Sequence, residues 1–175
     1  MLEKNNRYKV LKVFMDASLT EFGLRELSRL ANLSPPSVLT YLKEFEKKEL
    51  IVTLTKKGKP WYKAQRENKD FIFYKKLSVL YELNHSGLID YLWEHLAPKA
   101  IILYGSSAKG ESIEGSDIDL FIIGKEKKII LDTYQKKLGK HVHLLFDEQV
   151  QNIPAALKNN LINGIVLRGY FQAFT

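Results

Sequence analysis

Two aspartates two residues apart, Asp117 and Asp119, are the side chains in this sequence best spaced for metal chemistry. In a β-strand, residues two apart point to the same face and lie roughly 6.5–7 Å apart along the chain, so both carboxylates can reach one metal site. The alternate residues Ile118, Leu120 and Ile122 would then face the opposite, apolar side. Because a buried unpaired carboxylate costs several kcal/mol or shifts its pKa, we expect a positive partner at the aspartates.

A glycine and two serines, Gly105, Ser106 and Ser107, follow a short apolar segment over residues 100–104 that is typical of a buried strand. Glycine lets the backbone approach a ligand closely, and the amides that open the next turn would point at an anion. The sequence therefore predicts a phosphate held opposite a metal ion.

The composition limits the remaining classes of protein. The 175 residues carry 27 Lys+Arg and 20 Asp+Glu, and the resulting net charge of +7 suits a polyanionic partner but is equally a device for solubility. A hydrophobic content of 45% is not typical of a disordered chain. The absence of cysteine excludes disulfides, thiolate zinc sites and cysteine nucleophiles. The longest apolar runs stop after about five residues and no signal core is visible, so we expect a cytoplasmic protein with no membrane segment.

The elements of the N-terminal part are predicted from its apolar periodicity. This periodicity predicts helices over residues 7–15 and 24–31, and Ser34 is a suitable cap for a third helix. Alternation over residues 51–55 and 61–64, on either side of a lysine-rich turn, then predicts a hairpin with a basic tip.

Three helices followed by a basic hairpin resemble the winged helix-turn-helix family of DNA-binding domains, over residues 1–66. In that family the third helix enters the major groove and the hairpin touches the DNA backbone. The resemblance implies two groups of DNA-binding residues: Ser37, Thr40, Tyr41 and Lys43 on the third helix, and Lys56, Lys57 and Lys59 on phosphates. Winged helices also serve as docking or dimerisation modules, and exposed lysines are commonly only solvated. A homodimer or a protein partner therefore remains an alternative.

A helical connector is expected over residues 67–97, and its aromatic residues Phe71, Phe73, Tyr81 and Trp93 are interpreted as core packing. After the strand at 100–104, the predicted order is a strand at 117–123, a helix at 129–138, a strand at 141–146, a helix at 155–162 and a last strand at 165–167. This pattern predicts a small mixed α/β sheet domain over residues 98–175. The predicted fold class of the whole chain is α+β.

Three segments of this second domain resemble the DNA polymerase beta-like nucleotidyltransferase superfamily, namely Gly105-Ser106, Ala108-Lys109-Gly110-Glu111 and Ser116-Asp117-Ile118-Asp119. Minimal members carry a glycine-serine turn, an Ala-Arg-Gly-Glu-like segment and a Ser-Asp-x-Asp strand, and the match covers about residues 98–170. The resemblance implies a nucleoside triphosphate, with ATP foremost, and magnesium at Asp117 and Asp119. It assigns the nucleotide to Gly105, Ser106, Ser107, Lys109 and Ser116.

His143 stands where active members usually place a third carboxylate, which completes the metal site and helps to deprotonate the attacking hydroxyl. An imidazole can accept a proton but is a poorer magnesium ligand. His141 shares a strand face with His143, and a His-x-His pair can bind transition metals. Asp147 and Glu148 follow this strand, either as substitutes for the carboxylate or as caps of the next segment. Lys109 replaces the arginine common in the family and can neutralise phosphate as a point charge.

The leading hypothesis is an enzyme whose catalytic residues are Asp117, Asp119 and His143 and which transfers a nucleoside monophosphate to a hydroxyl acceptor. Small members of the superfamily act as antitoxins that adenylylate a partner toxin, so a protein acceptor is one form of this hypothesis. The alternative is a catalytically degenerate DNA-binding regulator or an antitoxin-like interaction protein.

Overall fold

The computed structural model describes residues 4–149 and 153–172. The outermost residues of the domains predicted over 1–66 and 98–175 therefore lie outside the described residues, as do residues 150–152. The chain is a mixed α and β protein that divides into two compact units, Met1–Lys75 and Lys76–Thr175.

The elements of the first unit run in the order α1 Asn6–Asp16, β1 Glu21–Gly23, α2 Leu24–Ala31, α3 Pro35–Lys47, β2 Ile51–Lys56 and β3 Lys59–Ala64. The predicted helices and the predicted hairpin are confirmed. Strand β1 was not predicted, because three residues are too few to show alternation. It pairs antiparallel with β3 and gives a sheet of order β1-β3-β2.

The helix boundaries of the first unit follow from local chemistry. The side chain of Asn5 caps α1 by accepting the Tyr8 N–H at 3.1 Å, and α2 ends at Asn32 in the left-handed conformation. Helix α3 begins after Ser34, whose hydroxyl lies 2.9 Å from that of Ser37 and does not cap the backbone.

One apolar core unites the elements of the first unit. Its largest fully buried side chains are Phe14, Leu27, Leu42, Phe45, Leu50, Ile51 and Phe71. The helix over residues 24–31 was predicted from the spacing of Leu24, Leu27, Leu30 and Ala31, but Leu30 is exposed. Periodicity therefore located the helix but assigned one residue too many to its buried face.

Helix α4, Lys69–Ser86, starts in the first unit and ends in the second. Phe71 is buried, as predicted, but the interpretation of Phe73 as core is wrong because more than half of this side chain is exposed. Tyr81 and Trp93 are half-buried. No helix in the described part of the chain is long and apolar enough to cross a membrane.

The elements of the second unit after α4 are α5 Leu88–Leu96, β4 Ala100–Tyr104, α6 Gly105–Lys109, β5 Ile118–Ile123, α7 Asp132–Leu138, β6 Val142–Asp147, α8 Ala155–Ile162 and β7 Ile165–Gly169. The four predicted strands and the helix over 155–162 are confirmed. Helix α7 begins three residues later than predicted, and the predicted glycine-serine turn forms the single helical turn α6. The sheet has the order β6-β5-β4-β7, in which β5 and β6 are parallel and the other pairs are antiparallel.

The two faces of this sheet differ at the end where β5 and β6 begin. Ile118, Leu120 and Ile122 lie on one face, in a core with apolar residues of α5, so their predicted common orientation is confirmed. Phe121 and Ile123 lie on the other face, in a smaller core that includes α8. Because side chains alternate along a strand, the carboxylate of β5 belongs to this second face, beyond the end of its apolar cluster.

Candidate active site

The two aspartates lie where strand β4 ends and strands β5 and β6 begin. Asp117 directly precedes β5, and Asp119 is the second residue of that strand. Asp119 pairs in register with Tyr104 on β4 and with His143 on β6. Strands on both sides therefore fix the position of Asp119, whereas Asp117 precedes the first paired residue.

Each aspartate faces one histidine across the parallel β5–β6 pair. The distance from His141 Nδ1 to Asp117 Oδ1 is 3.8 Å, and that from His143 Nδ1 to Asp119 Oδ1 is 3.6 Å. Both separations exceed a hydrogen bond, so the carboxylates keep lone pairs that can bind another group. The Asp119–His143 pair is the more shielded one, because the Asp119 side chain is 29% exposed and that of Asp117 is 51% exposed.

Gly105 begins α6 in direct contact with the Asp119 carboxylate. Its φ is +70°, and a β-carbon at this position would lie 2.6 Å from Asp119 Oδ2. The amides of the first helical turn have no acceptor within their helix, so those of α6 can point at an anion. An anion held there would repel the adjacent Asp119 carboxylate, and a cation between the two groups would remove that repulsion.

The two serines assigned to the nucleotide besides Ser106 hold the loop that leads into β5. Ser107 is fully buried, and its hydroxyl donates to the Asp117 carbonyl at 3.4 Å. The Ser116 hydroxyl accepts the Ile113 N–H at 2.8 Å. Because its hydroxyl is buried and already bonded, Ser107 can offer a ligand only its backbone amide. Ser106 is half-buried and Lys109 is exposed, both on α6.

Two residues near the site were not identified from the sequence. Tyr104 is buried beside Asp119; burial raises the pKa of its phenol, and the negative charge of Asp119 raises it further. Gln135, on α7, accepts the Val142 N–H through Oε1 at 2.8 Å and so holds the start of the edge strand β6. The Tyr104 contact depends on strand register and the Gln135 contact on helix packing, and neither leaves a local sequence pattern.

The two carboxylates at the far end of β6, Asp147 and Glu148, do not replace the missing one. Asp147 pairs with Ile123, at the end of the strands opposite Asp119, and its Oδ1 accepts the Gln149 N–H at 2.7 Å. Substitution of this residue for the third carboxylate is therefore wrong. Its hydrogen bond closes a turn at Gln149 and does not cap α8, which begins at Ala155 with Pro154 at its N-cap. Glu148 follows it at the same end of the strand.

The donor set fits a divalent cation that is shared with a ligand. Among the described residues, no group of three or more His, Asp and Glu side chains could hold a metal ion by itself. Mg²⁺ is commonly bound by one or two carboxylates, with water and substrate phosphates completing its shell. Asp117 and Asp119 supply such carboxylates, and the amides of α6 lie beside them.

The predicted DNA-binding residues of α3 differ in accessibility. Thr40 and Lys43 are exposed, whereas Ser37 is half-buried and Tyr41 packs against the core of the first unit. The Thr40 hydroxyl donates to the Pro36 carbonyl at 3.1 Å, so it is already engaged within the helix.

The three lysines of the hairpin also differ in their contacts. Lys57 and Gly58 form the tip with φ values of 49° and 71°, and Lys59 begins the returning strand. Lys56 forms an ion pair with Glu21 and lies 5.4 Å from the centre of the Trp61 ring. Lys57 and Lys59 are exposed, whereas Lys56 would have to leave Glu21 to reach a phosphate.

Comparison with known families supports the second unit only. A comparison with curated proteins found no match. The matched segment is less than half of the chain and contains Gly105, Asp117, Asp119 and His143. Domains of that kind generally use a nucleoside triphosphate and a divalent metal ion. Residues 86–167 match the family model of the nucleotidyltransferase domain, which supports the nucleotidyltransferase domain predicted there.

Proposed function

We propose that the second unit binds a nucleoside triphosphate together with Mg²⁺ and transfers its nucleoside monophosphate to a hydroxyl acceptor on a protein. The observation that carries this proposal is the contact between Gly105 and Asp119, which brings the α6 amides and a carboxylate to one point. The family match over residues 86–167 agrees with it.

The proposed mechanism divides the work among three groups of residues. Asp117 and Asp119 would hold the divalent ion, and the chemistry that the ion would supply is neutralisation of phosphate charge. The amides of α6, with Lys109, hold the phosphates in line for attack. The acceptor oxygen bonds to the α-phosphorus, the bond from that phosphorus to the bridging oxygen breaks, and pyrophosphate leaves.

The proton of the acceptor hydroxyl needs a base, and we assign this role to His143. Its Nδ1 faces Asp119 at 3.6 Å, so a proton on Nδ1 is favoured by the carboxylate and Nε2 is left to accept. A small closure of this distance would convert the pair into a hydrogen bond. His143 would thus take over the proton-accepting part of the third carboxylate without its negative charge.

A calorimetric titration of ATP into the full chain, with and without Mg²⁺, tests nucleotide binding. We expect Mg²⁺-dependent binding that is lost in Asp117→Asn and Asp119→Asn. Asp147→Asn is the matched control, because it removes a carboxylate at the opposite end of the same strands. The proposal would be contradicted if the affinity for ATP were the same with and without Mg²⁺ and the same in Asp119→Asn as in the wild type.

Incubation with labelled ATP and a cellular extract tests transfer. Label in the α-phosphate should enter the acceptor, whereas label in the γ-phosphate should not, and this difference excludes kinase activity. Binding of ATP without any incorporation from the α-phosphate would favour the alternative, a catalytically degenerate regulator.

DNA binding by the first unit is a second proposal, and the exposure of Lys57 and Lys59 at the hairpin tip favours it. We infer a winged-helix arrangement in which α3 faces the bases and the hairpin contacts phosphates. Each phosphate contact contributes about 0.9 to the slope of log affinity against log salt, so Lys57→Ala/Lys59→Ala should reduce that slope by about 2. Lys47→Ala/Lys48→Ala, at the end of α3, is the control pair. An equal slope in both variants would contradict the hairpin assignment.

A further inference from the structure

We propose that the Asp119–His143 pair binds a first-row transition-metal ion, with Zn²⁺ as the reference ion, more tightly than Mg²⁺. The inference rests on the proposed function, because it concerns which ion occupies the same site. An ion bound to His143 Nδ1 leaves the ring proton on Nε2, so this ion and the proton transfer assigned to His143 exclude each other. It starts from the finding that each aspartate faces an imidazole. At one of these imidazoles, His143, the resemblance implies a carboxylate.

The spacing of the pair suits one ion between its two atoms. Two ligands at 2.0–2.1 Å from a tetrahedral ion lie roughly 3.4 Å apart. His143 Nδ1 and Asp119 Oδ1 are 3.6 Å apart. A shift of the exposed His143 side chain by a few tenths of an ångström would place both atoms on one ion.

The Asp119–His143 pair is better prepared for an ion than the Asp117–His141 pair. Asp119 is fixed by two strand neighbours and by contact with Gly105, whereas Asp117 precedes the first paired residue of β5. Both side chains of the Asp117–His141 pair are more than half exposed, and their atoms are 3.8 Å apart. Ordering that pair would therefore cost more side-chain entropy.

One ion cannot use all four side chains as they stand. The Cα atoms of residues two apart on a strand are roughly 6.5–7 Å apart, so Asp117 and Asp119 would have to turn their carboxylates toward each other to share an ion. This agrees with the absence of a group of three or more suitable side chains in the described part of the chain. The remaining coordination positions would be filled by water, or by phosphate oxygens when a nucleotide is bound.

The identity of the donors sets the preference among ions. Mg²⁺ binds oxygen ligands almost exclusively, and the histidine removes one negative oxygen donor from its site. An imidazole nitrogen is a good ligand for first-row transition-metal ions such as Zn²⁺. The affinity of such sites generally rises from Mn²⁺ to Cu²⁺. The histidine would therefore shift the metal preference of the site.

The test is a titration of the full chain with ZnCl₂ alone and with MgCl₂ alone, without nucleotide. We expect Zn²⁺ to bind more tightly than Mg²⁺, and His143→Ala to weaken Zn²⁺ binding by about tenfold or more, as expected for loss of a direct ligand. His141→Ala, at the residue that directly precedes β6, is the matched control and should have a smaller effect. His85→Ala/His95→Ala removes the other two histidines of the chain and should have none.

Two further measurements secure the assignment. Co²⁺ absorption reports the ligands directly, and the chain has no cysteine that could contribute a thiolate band. In the wild-type protein, the ring signals of His143 should shift on Zn²⁺ addition in NMR spectra, which needs no variant to fold. His143→Gln provides a second substitution at this exposed position.

The outcomes separate this inference from the proposed function. Equal Zn²⁺ affinity in wild type and His143→Ala, or Mg²⁺ binding as tight as Zn²⁺ binding, would overturn the inference even if ATP binds with Mg²⁺. Failure of ATP to bind with either ion would overturn the proposed function and leave the metal titration to decide the inference by itself.

Discussion

Gly105 lies so close to Asp119 that a β-carbon on residue 105 would come within 2.6 Å of Asp119 Oδ2. The same glycine has a φ of +70°, a conformation that is strained for any residue with a side chain. Position 105 is thus restricted by the backbone and by the carboxylate at the same time. This contact places the residue that follows β4 directly beside the start of β5.

Substitution of Gly105 by Ala should affect the site more than the fold. The left-handed conformation alone costs about 1–2 kcal/mol for alanine, and the clash would additionally displace Asp119 or the start of α6. We expect Gly105→Ala to lower nucleotide and metal affinity by about tenfold or more, since tenfold is only about 1.4 kcal/mol. Calorimetric titration measures this loss.

Gly139→Ala is the control for that substitution. Gly139 has a φ of +62° but no atom within 4 Å of the place where a β-carbon would stand. Both variants should lose a similar amount of thermal stability from backbone strain, and only Gly105→Ala should lose binding. Equal binding in the two variants would show that contact with Asp119 is unimportant.

Substitution of His143 by Asp should move the metal preference toward Mg²⁺. The introduced side chain would place a second carboxylate beside Asp119, which raises repulsion in the absence of metal and attraction for a hard cation. We expect about a tenfold gain in Mg²⁺-dependent ATP affinity, equivalent to roughly 1.4 kcal/mol, and a lower melting temperature that Mg²⁺ restores. Calorimetric titration of ATP checks the affinity, and thermal melts with and without Mg²⁺ check the stability.

His141→Asp tests whether position 143 is special. It adds the same charge two residues earlier, directly before β6, but opposite the more exposed Asp117. A gain in His141→Asp as large as that in His143→Asp would contradict the central place given to Asp119.

Substitution of Gln135 should loosen the start of β6. The Val142 N–H, bound to Gln135 Oε1 at 2.8 Å, loses its acceptor in Gln135→Met, at a cost of about 1 kcal/mol. Gln135→Glu keeps an acceptor oxygen and should restore protection. Hydrogen exchange at the Val142 amide measures the effect. If water is an equally good acceptor for this N–H, the exchange rate will be unchanged in both variants.

The sequence predicted those features of the site that depend on one strand alone. Alternation along residues 117–123 correctly separated Ile118 and Leu120 from Asp119, because side-chain direction is a local property of a strand. The positions of Gly105 and Asp117 followed from motif spacing in the same way. These features needed no knowledge of how strands pair.

Features that depend on pairing between distant segments could not be predicted. Helix α7 connects β5 to β6, and nothing in the sequence between them fixes which residue of β6 lies opposite Asp119. The resemblance placed His143 at the metal site, but its pairing with Asp119, like the contact of Gln135 with Val142, results from that register. Phe73 was misassigned for a related reason, because a helix residue is buried only where another element covers it.

The ion pair between Lys56 and Glu21 predicts that the free energy of unfolding of the first unit depends on pH. The hydrogen bond from Lys56 is the main cause that lowers the pKa of Glu21 from its ordinary value of 4.5; desolvation opposes this, and the charges of Lys56 and Lys63 add to the lowering. A carboxylate whose pKa is lower in the folded state stabilises the fold above about pH 4.5, and this stabilisation is lost as the pH falls through the folded-state pKa.

NMR titration of the Glu21 carboxyl measures this shift directly. We expect a midpoint below 4.5 in the wild type and a return toward 4.5 in Lys56→Met, which removes the donor but keeps an unbranched side chain. If Lys56 moves to a phosphate when duplex DNA binds, DNA should raise the Glu21 midpoint in the same direction as Lys56→Met. An unchanged midpoint in Lys56→Met would show that the ion pair does not set this pKa. An unchanged midpoint with DNA bound would show that Lys56 stays on Glu21, which leaves Lys57 and Lys59 as the lysines of the hairpin that contact phosphates.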